Sequence, residues 1–200
     1  WWLPGTQKGD ACLPGCLPKR FVHESGYRPH NVEVFKEHPN RAYVGYRDGG
    51  LIILDISGLA DVRSGKVTKF TPKMISRIAE VPPFVSSGHT LHPFFDHNVA
   101  AFVEEGSGCS AEGARPVWLI DIHDETRPAV IGSAPYPTNA SELCKRPGGG
   151  GTHNLTPELG TSTNMHLKNT ILSANTSFGL RIYKLIPQAA PFPNRTPPHI

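Results

Sequence analysis

The feature that most constrains this chain is an internal repeat with a period near 60 residues. The apolar strand pattern LIILDI at 51–56 returns as VWLIDI at 117–122, and a related run, LRIYKL, occupies 180–185. Asp55 and Asp121 are 66 residues apart, and Asp121 and Tyr183 are 62 apart. A fixed period of this size indicates that one supersecondary unit is repeated and that successive units stack to bury their apolar faces.

Each unit is built from short strand-like runs bounded by Gly, Pro, Asn and Asp. No segment sustains the apolar i, i+3, i+4, i+7 spacing of an amphipathic helix. Gly and Pro each contribute 20 of the 200 residues, which predicts many turns and few long helices. Four short strands in about 60 residues are typical of a propeller blade. The sequence therefore predicts an all-β fold, a β-propeller with about three four-stranded blades in this chain.

The repeat divides the chain into three regions. Residues 1–21 are predicted to be an extended segment, and residues 187–200 a Pro-rich tail. Between them lie the blades, at about 22–75, 76–128 and 129–186. Three blades do not close a ring, because propellers have four to eight. We therefore expect the ring to be completed by another segment or a second chain, and the chain, which opens on Trp1 and Trp2 without Met, to be a mature or excised piece.

The repeated residues also carry a family resemblance. The strands LIILDIS (51–57) and VWLIDIH (117–123), the Gly-Leu before the strand, the turn from Asp124 to Pro128 and the His-Asn-Leu at 153–155 resemble the LVIVD repeat. The resemblance covers all three units, although the third has Tyr183 and Lys184 in place of Asp-Ile. Members of that family are mostly exported bacterial or archaeal β-propellers, and most have no assigned activity. The resemblance thus implies a fold and a location more than a function.

Composition limits the partners and the compartment. The formal net charge is +3 and there is no basic block, which argues against a nucleic-acid partner. No apolar run approaches the roughly 20 residues of a membrane-spanning helix. Four N-x-[ST] sequences, at Asn139, Asn154, Asn175 and Asn194, favour an exported protein. We expect an extracytoplasmic location, whether secreted, periplasmic or at the cell surface.

The four cysteines have no metal-binding spacing. None lies in a C-x-x-C pair, so two disulfides or four inert thiols are the alternatives. Cys109 and Cys144 fall in the long insertions of adjacent units, and a disulfide that ties those loops is the favoured interpretation. Cys12 and Cys16 would clip the N-terminal segment if oxidised.

Three histidines occupy the same place in successive units. His30, His89 and His153 each precede the first strand of a unit and are 59 and 64 residues apart. The innermost strands of a propeller line its axis, so equivalent residues converge there. Three imidazoles predict a site for Zn, Cu, Fe or Mn with an open position. Further candidate ligands are His92 and Glu104, followed by His97, Glu105 and His166.

The same pattern has a structural interpretation, in which each histidine caps a turn through a hydrogen bond to the neighbouring blade. Two functions follow. The first is a binding or scaffold module with a protein or glycan partner. The alternative is a metal-dependent oxidative or hydrolytic enzyme that uses His30, His89 and His153 around the central channel. A third interpretation is an assembly role, in which a partner's blades complete the ring.

Overall fold

The computed structural model describes residues 28–79, 87–105, 116–134, 145, 151–157, 169–175 and 178–186. The described residues form an all-β structure of three antiparallel sheets with one short helix. None of the helices in these ranges has the length and apolar character needed to cross a membrane. The four cysteines and His166 lie outside the described residues, so the disulfides remain predictions from the sequence.

The first sheet is a simple meander, in which each strand pairs with the next along the chain. A five-residue helix, α1 (Leu59–Arg63), interrupts the connection between its third and fourth strands. The strands are β1 (Pro29–Glu33), β2 (Arg41–Tyr46), β3 (Gly50–Asp55) and β4 (Lys73–Ile78).

The second sheet repeats the four-stranded meander, and the third has three strands in the order β11-β10-β9. The strand runs predicted at 51–56, 117–122 and 180–185 are present, each within one residue of its predicted ends. The predicted division at 75/76 falls inside β4, and that at 128/129 separates the strand Ala129–Ser133 from the second sheet, because the fourth strand pairs with the sheet before it. The strands are β5 (Gly88–Phe94), β6 (Val99–Glu104), β7 (Trp118–Asp121), β8 (Ala129–Ser133), β9 (Thr152–Pro157), β10 (Thr170–Asn175) and β11 (Gly179–Lys184).

The sheets pack face to face, and the alternation of side chains along each strand determines which residues meet. Tyr43 and Ile53 of the first sheet are fully buried with Phe102 of the second. On the other face of the second sheet, Val103 is buried against Ile171 of the third. Burial of each such side chain contributes about 1.5–3 kcal/mol. A strand of the middle sheet therefore has two apolar faces.

The sheets are also tied together at one end of their strands. The amide of Gly88 donates to the carbonyl oxygen of Arg47 at 2.8 Å, which joins β5 to the end of β2. The hydroxyl of Thr152 donates to the carbonyl oxygen of Glu104 at 3.1 Å and so joins β9 to the end of β6. Gly45 permits this approach, because a Cβ there would collide with the carbonyl oxygen of His89.

The register of the third sheet differs from the predicted one by one residue. Asp55 lies opposite Arg41, the first residue of β2. The corresponding pair in the third sheet is Lys184 with Thr170, so Lys184 and not Tyr183 takes the place of Asp55. The connection from β2 to β3 and that from β10 to β11 have equal lengths, so the two hairpins align without a gap.

Candidate metal centre

Each of the three repeated histidines lies at a β-bulge. In the first sheet the pairing passes from Pro29 directly to Asn31 and leaves His30 without an opposite residue. His89 is bypassed in the same way in β5, and His153 in β9. A bulge adds one residue to a strand and redirects its side chain. Equivalent bulges therefore present three imidazoles at the end of the strands where neighbouring sheets are tied together.

The imidazoles meet there with one carboxylate. The rings of His30 and His89 have centroids 3.7 Å apart, and those of His89 and His153 are 4.7 Å apart. One ligand atom each from His30, His89 and Glu105 lie within 4.8 Å of one another. Atoms that share a tetrahedral Zn²⁺ at about 2.0–2.2 Å are roughly 3.3–3.6 Å apart, so small side-chain movements suffice for coordination.

Glu105 connects the third histidine to the group. Its Oε1 is 3.5 Å from Nε2 of His153, and its Oε2 accepts a hydrogen bond from Nη1 of Arg47. Arg47 and Glu105 follow equivalent strand ends, β2 and β6, so this ion pair joins equivalent positions of two consecutive units. We name the set His30, His89, His153 and Glu105 the histidine group.

Hydrogen bonding selects the tautomer of His89. Oγ1 of Thr90 donates to Oδ1 of Asn154 at 3.0 Å, which uses its only proton. The contact of 2.9 Å between Nδ1 of His89 and Oγ1 of Thr90 then requires a proton on Nδ1. The Nε2 of His89 therefore carries the free lone pair, which is the form that binds a metal ion.

Desolvation and neighbouring charges favour the neutral form of His89 and His30. Desolvation lowers the pKa of His89 to about 3, and the neighbouring His30 and His153 act in the same direction. Desolvation also lowers the pKa of His30, helped by the positive charge of Arg47. Desolvation by itself raises the pKa of Glu105, but the hydrogen bond and charge of Arg47 outweigh it and the net pKa is lowered. Neutral imidazoles beside an ionised carboxylate can bind a cation without first losing protons.

Of the other predicted ligands, the three that the structure describes lie outside this group. His92 lies three residues beyond its bulge, and its Nδ1 is 2.5 Å from Oε2 of Glu33. Glu104 is fully buried and accepts a hydrogen bond from Nε1 of Trp118 at 3.0 Å, because successive side chains leave opposite faces of a strand. His97 lies in the 3-10 turn between β5 and β6.

The supporting residues of the group carry no motif that predicted them from the sequence. Arg47, Asn31 and Thr90 were not identified as part of a site, although each contacts the histidine group or its neighbours. A signal was available for two of them, since Asn31 and Thr90, like Asn154, each directly follow a repeated histidine.

A second concave region lies near the turns at the opposite ends of the strands. This cavity of about 610 Å³ lies between the first two sheets and is lined in part by His38, Phe95 and Glu125. Glu125 already accepts hydrogen bonds from Arg41 and from the hydroxyl of Tyr43. Burial, followed by the bond to Glu125, raises the pKa of Tyr43. The polar groups here bind one another, and we assign the cavity no chemistry.

Comparison with known proteins adds no identification: no family model matches the chain, and neither the curated proteins nor the solved structures give a match. The resemblance to the LVIVD repeat therefore stays a prediction from the residues that carry it.

Proposed function

We propose that this chain binds a divalent transition metal through His30, His89 and Glu105, with His153 as a fourth ligand. The observation that carries the proposal is the convergence of ligand atoms from His30, His89 and Glu105 within 4.8 Å. Mixed imidazole and carboxylate ligands suit Zn, Fe and Mn, and imidazole also suits Cu. Because each histidine comes from a bulge at an equivalent position, repetition of one local irregularity accounts for the three imidazoles.

The state of the ligands supports the same proposal. The Thr90 contact leaves Nε2 of His89 as the free nitrogen. Arg47 holds one oxygen of Glu105, so the other oxygen faces His153. Outer partners that orient ligands in this way are typical of metal sites in proteins.

We propose further that the three sheets are blades of a partial β-propeller of the LVIVD type. Consecutive meanders packed face to face, with first strands adjacent, support this architecture. Leu180 and Ile182 occupy the strand positions of Leu51 and Ile53. The first two are 65% exposed, whereas Leu51 and Ile53 are 0% exposed.

This exposed face of the third sheet is the place for a further blade, supplied by another segment or a second chain. It favours the second candidate function, a binding or scaffold module that is completed by its partner. We also propose that the protein is located outside the cytoplasm, because its sequence contains four N-x-[ST] sites.

Catalysis at the bound metal would extend the proposal of metal binding to an enzymatic activity. His30 is exposed, and the side chain of His153 is 46% exposed, so one side of the group is accessible to solutes. An ion with all four of these ligands could take up a solute by expanding to five-coordination, which would allow hydrolytic or oxidative chemistry.

Elemental analysis of the purified complete assembly tests the metal proposal, and native mass on the same preparation tests the ring. We expect near-stoichiometric Zn, Cu, Fe or Mn and a mass above that of one chain. His89→Ala should lower metal affinity by roughly 100-fold or more. His30→Ala should also lower metal affinity. Because His30 is exposed, this variant tests the site even when His89→Ala folds poorly. The control is His123→Ala, an exposed histidine outside the group.

Metal at trace level only would contradict the metal proposal. So would an equal loss of metal affinity in His123→Ala, His89→Ala and His30→Ala. A mass of 21.8 kDa, that of these 200 residues alone, would contradict completion of the ring.

A further inference from the structure

We propose that the metal held by the histidine group takes a small carboxylate anion as its external ligand and that Arg47 gives the site this preference. The inference rests on the proposed metal site and adds the chemical class of what binds there. It assigns Arg47 as a specificity-determining residue.

The charge balance of the site supports an anion. Apart from the titratable His153, the charged groups that act on His30 are Arg47, Glu105 and Arg28, which are two cations and one carboxylate. Histidines bind metals in the neutral form, so they add no charge. A divalent ion would add two further positive charges, and Glu105 neutralises only one charge in the whole set. An external anion is therefore favoured over a neutral or cationic ligand.

The geometry around Arg47 favours a carboxylate. Arg47 already binds one, since its Nη1 donates to Oε2 of Glu105 while Oε1 of the same carboxylate faces His153. The guanidinium is a planar fork whose spacing matches a carboxylate. Nη1 of Arg47 also lies 3.3 Å from the hydroxyl oxygen of Ser87, which helps to hold the guanidinium in position. The Arg47 side chain is largely buried, so solvent screens its charge less than that of a surface arginine.

Access to the site is open on the side of the outer histidines. His30 and His153 are exposed, whereas His89 between them is buried. A small anion can therefore approach the metal past His30 and His153 without displacement of the buried His89. The accessible side of the site is the one on which Glu105 faces His153.

The test uses the complete assembly loaded with Co²⁺, whose visible absorption reports changes in coordination. Co²⁺ affinity is measured first, and acetate is then titrated, with acetamide as the uncharged control of the same shape. We expect acetate to change the Co²⁺ spectrum with saturation and acetamide to leave it unchanged. Arg47→Met should weaken acetate binding by about 10-fold, and Arg47→Lys should retain part of it.

Arg28→Met is the matched control, because Arg28 is an exposed arginine near the same histidine. It should change acetate binding by less than about threefold, since exposed charges are well screened. Failure of Co²⁺ to bind would overturn the proposed metal site itself. Normal Co²⁺ binding with no response to acetate, or equal acetate affinity in wild type and Arg47→Met, would overturn only the present inference.

Discussion

The described residues include two groups of histidine and glutamate whose histidines lie on the first strands of the sheets, and the two groups differ in their hydrogen bonding. In one, Nδ1 of His92 meets Oε2 of Glu33 at 2.5 Å, and Asn31 donates to the other oxygen of Glu33 at 3.2 Å. The ring of Phe35 packs edge-on against His92. In the histidine group, three imidazoles crowd around one carboxylate that Arg47 already holds.

This difference shows that a histidine next to a glutamate does not by itself identify a ligand-binding site. A single histidine and a single glutamate, both largely buried, satisfy each other and link the first sheet to the second. Three adjacent imidazoles bring nitrogen lone pairs together beside one carboxylate, which is a set of ligand atoms that suits a cation. We therefore expect the first group to contribute to the stability of the fold and the second to ligand binding.

The largest effect should come from breaking the pair. Glu33→Ala leaves the buried His92 without its acceptor, and we expect the free energy of unfolding to fall by about 2–3 kcal/mol. Chemical denaturation of the metal-free protein measures this change. The metal affinity of the folded protein should stay within about threefold of wild type, since His92 lies outside the histidine group.

A double variant sharpens the comparison. Glu33→Met combined with His92→Leu removes both polar partners, so it should be less destabilising than Glu33→Ala alone. A double variant that is as unstable as the sum of the two single changes would show that the pair does not act as a unit.

The next effect concerns pH. The folded pKa of His89 is about 3, below its ordinary 6.5, so the unfolded chain binds more protons between these values. Stability is therefore fully present above pH 6.5 and is lost as the pH falls, by about 1.4 kcal/mol per pH unit for one such histidine. His30 acts in the same direction. Unfolding of the metal-free protein, measured in denaturant between pH 7.5 and 5, gives this slope.

His89→Gln should reduce that slope, whereas His123→Gln, at an exposed position, should not. The lowered pKa of Glu105 does not interfere, because its contribution is lost only below 4.5. An unchanged slope in His89→Gln would mean that His89 is not buried in neutral form.

The smallest effect should come from Thr90, which touches both groups. Its hydroxyl oxygen contacts Nδ1 of His89 and lies 3.4 Å from Nδ2 of Asn31. Thr90→Val should cost about 1 kcal/mol of stability and lower metal affinity by about 10-fold, because the ring of His89 loses its orienting partner. Thr90→Ser should restore both, and a Ser variant as weak as Val would show that shape and not the hydroxyl matters.

Much of the fold was predictable because strand runs and turns are local signals. The meanders follow from runs such as RAYVGY and GLIILD, and the convergence of His30 with His89 follows from their equivalent positions. The helix α1 was missed, since five residues are too short to show a helical period.

The finer features of the site were not predictable because they depend on single-residue geometry. Of the two adjacent acids, Glu105 and not Glu104 meets the histidines, and only the strand end and its alternation decide this. The pairing of Glu33 with His92 joins residues 59 positions apart across two sheets, which no local pattern encodes.

The three bulges have a consequence for how the protein unfolds. Stacked repeat units can come apart one at a time, because each contacts only its neighbours. His30, His89 and His153 belong to three different sheets, so an ion bound to all of them would fasten the first unit to the last across more than a hundred residues of chain. Separation of any one sheet would then require release of the ion, and the cooperativity of the whole array would be set by three single-residue irregularities.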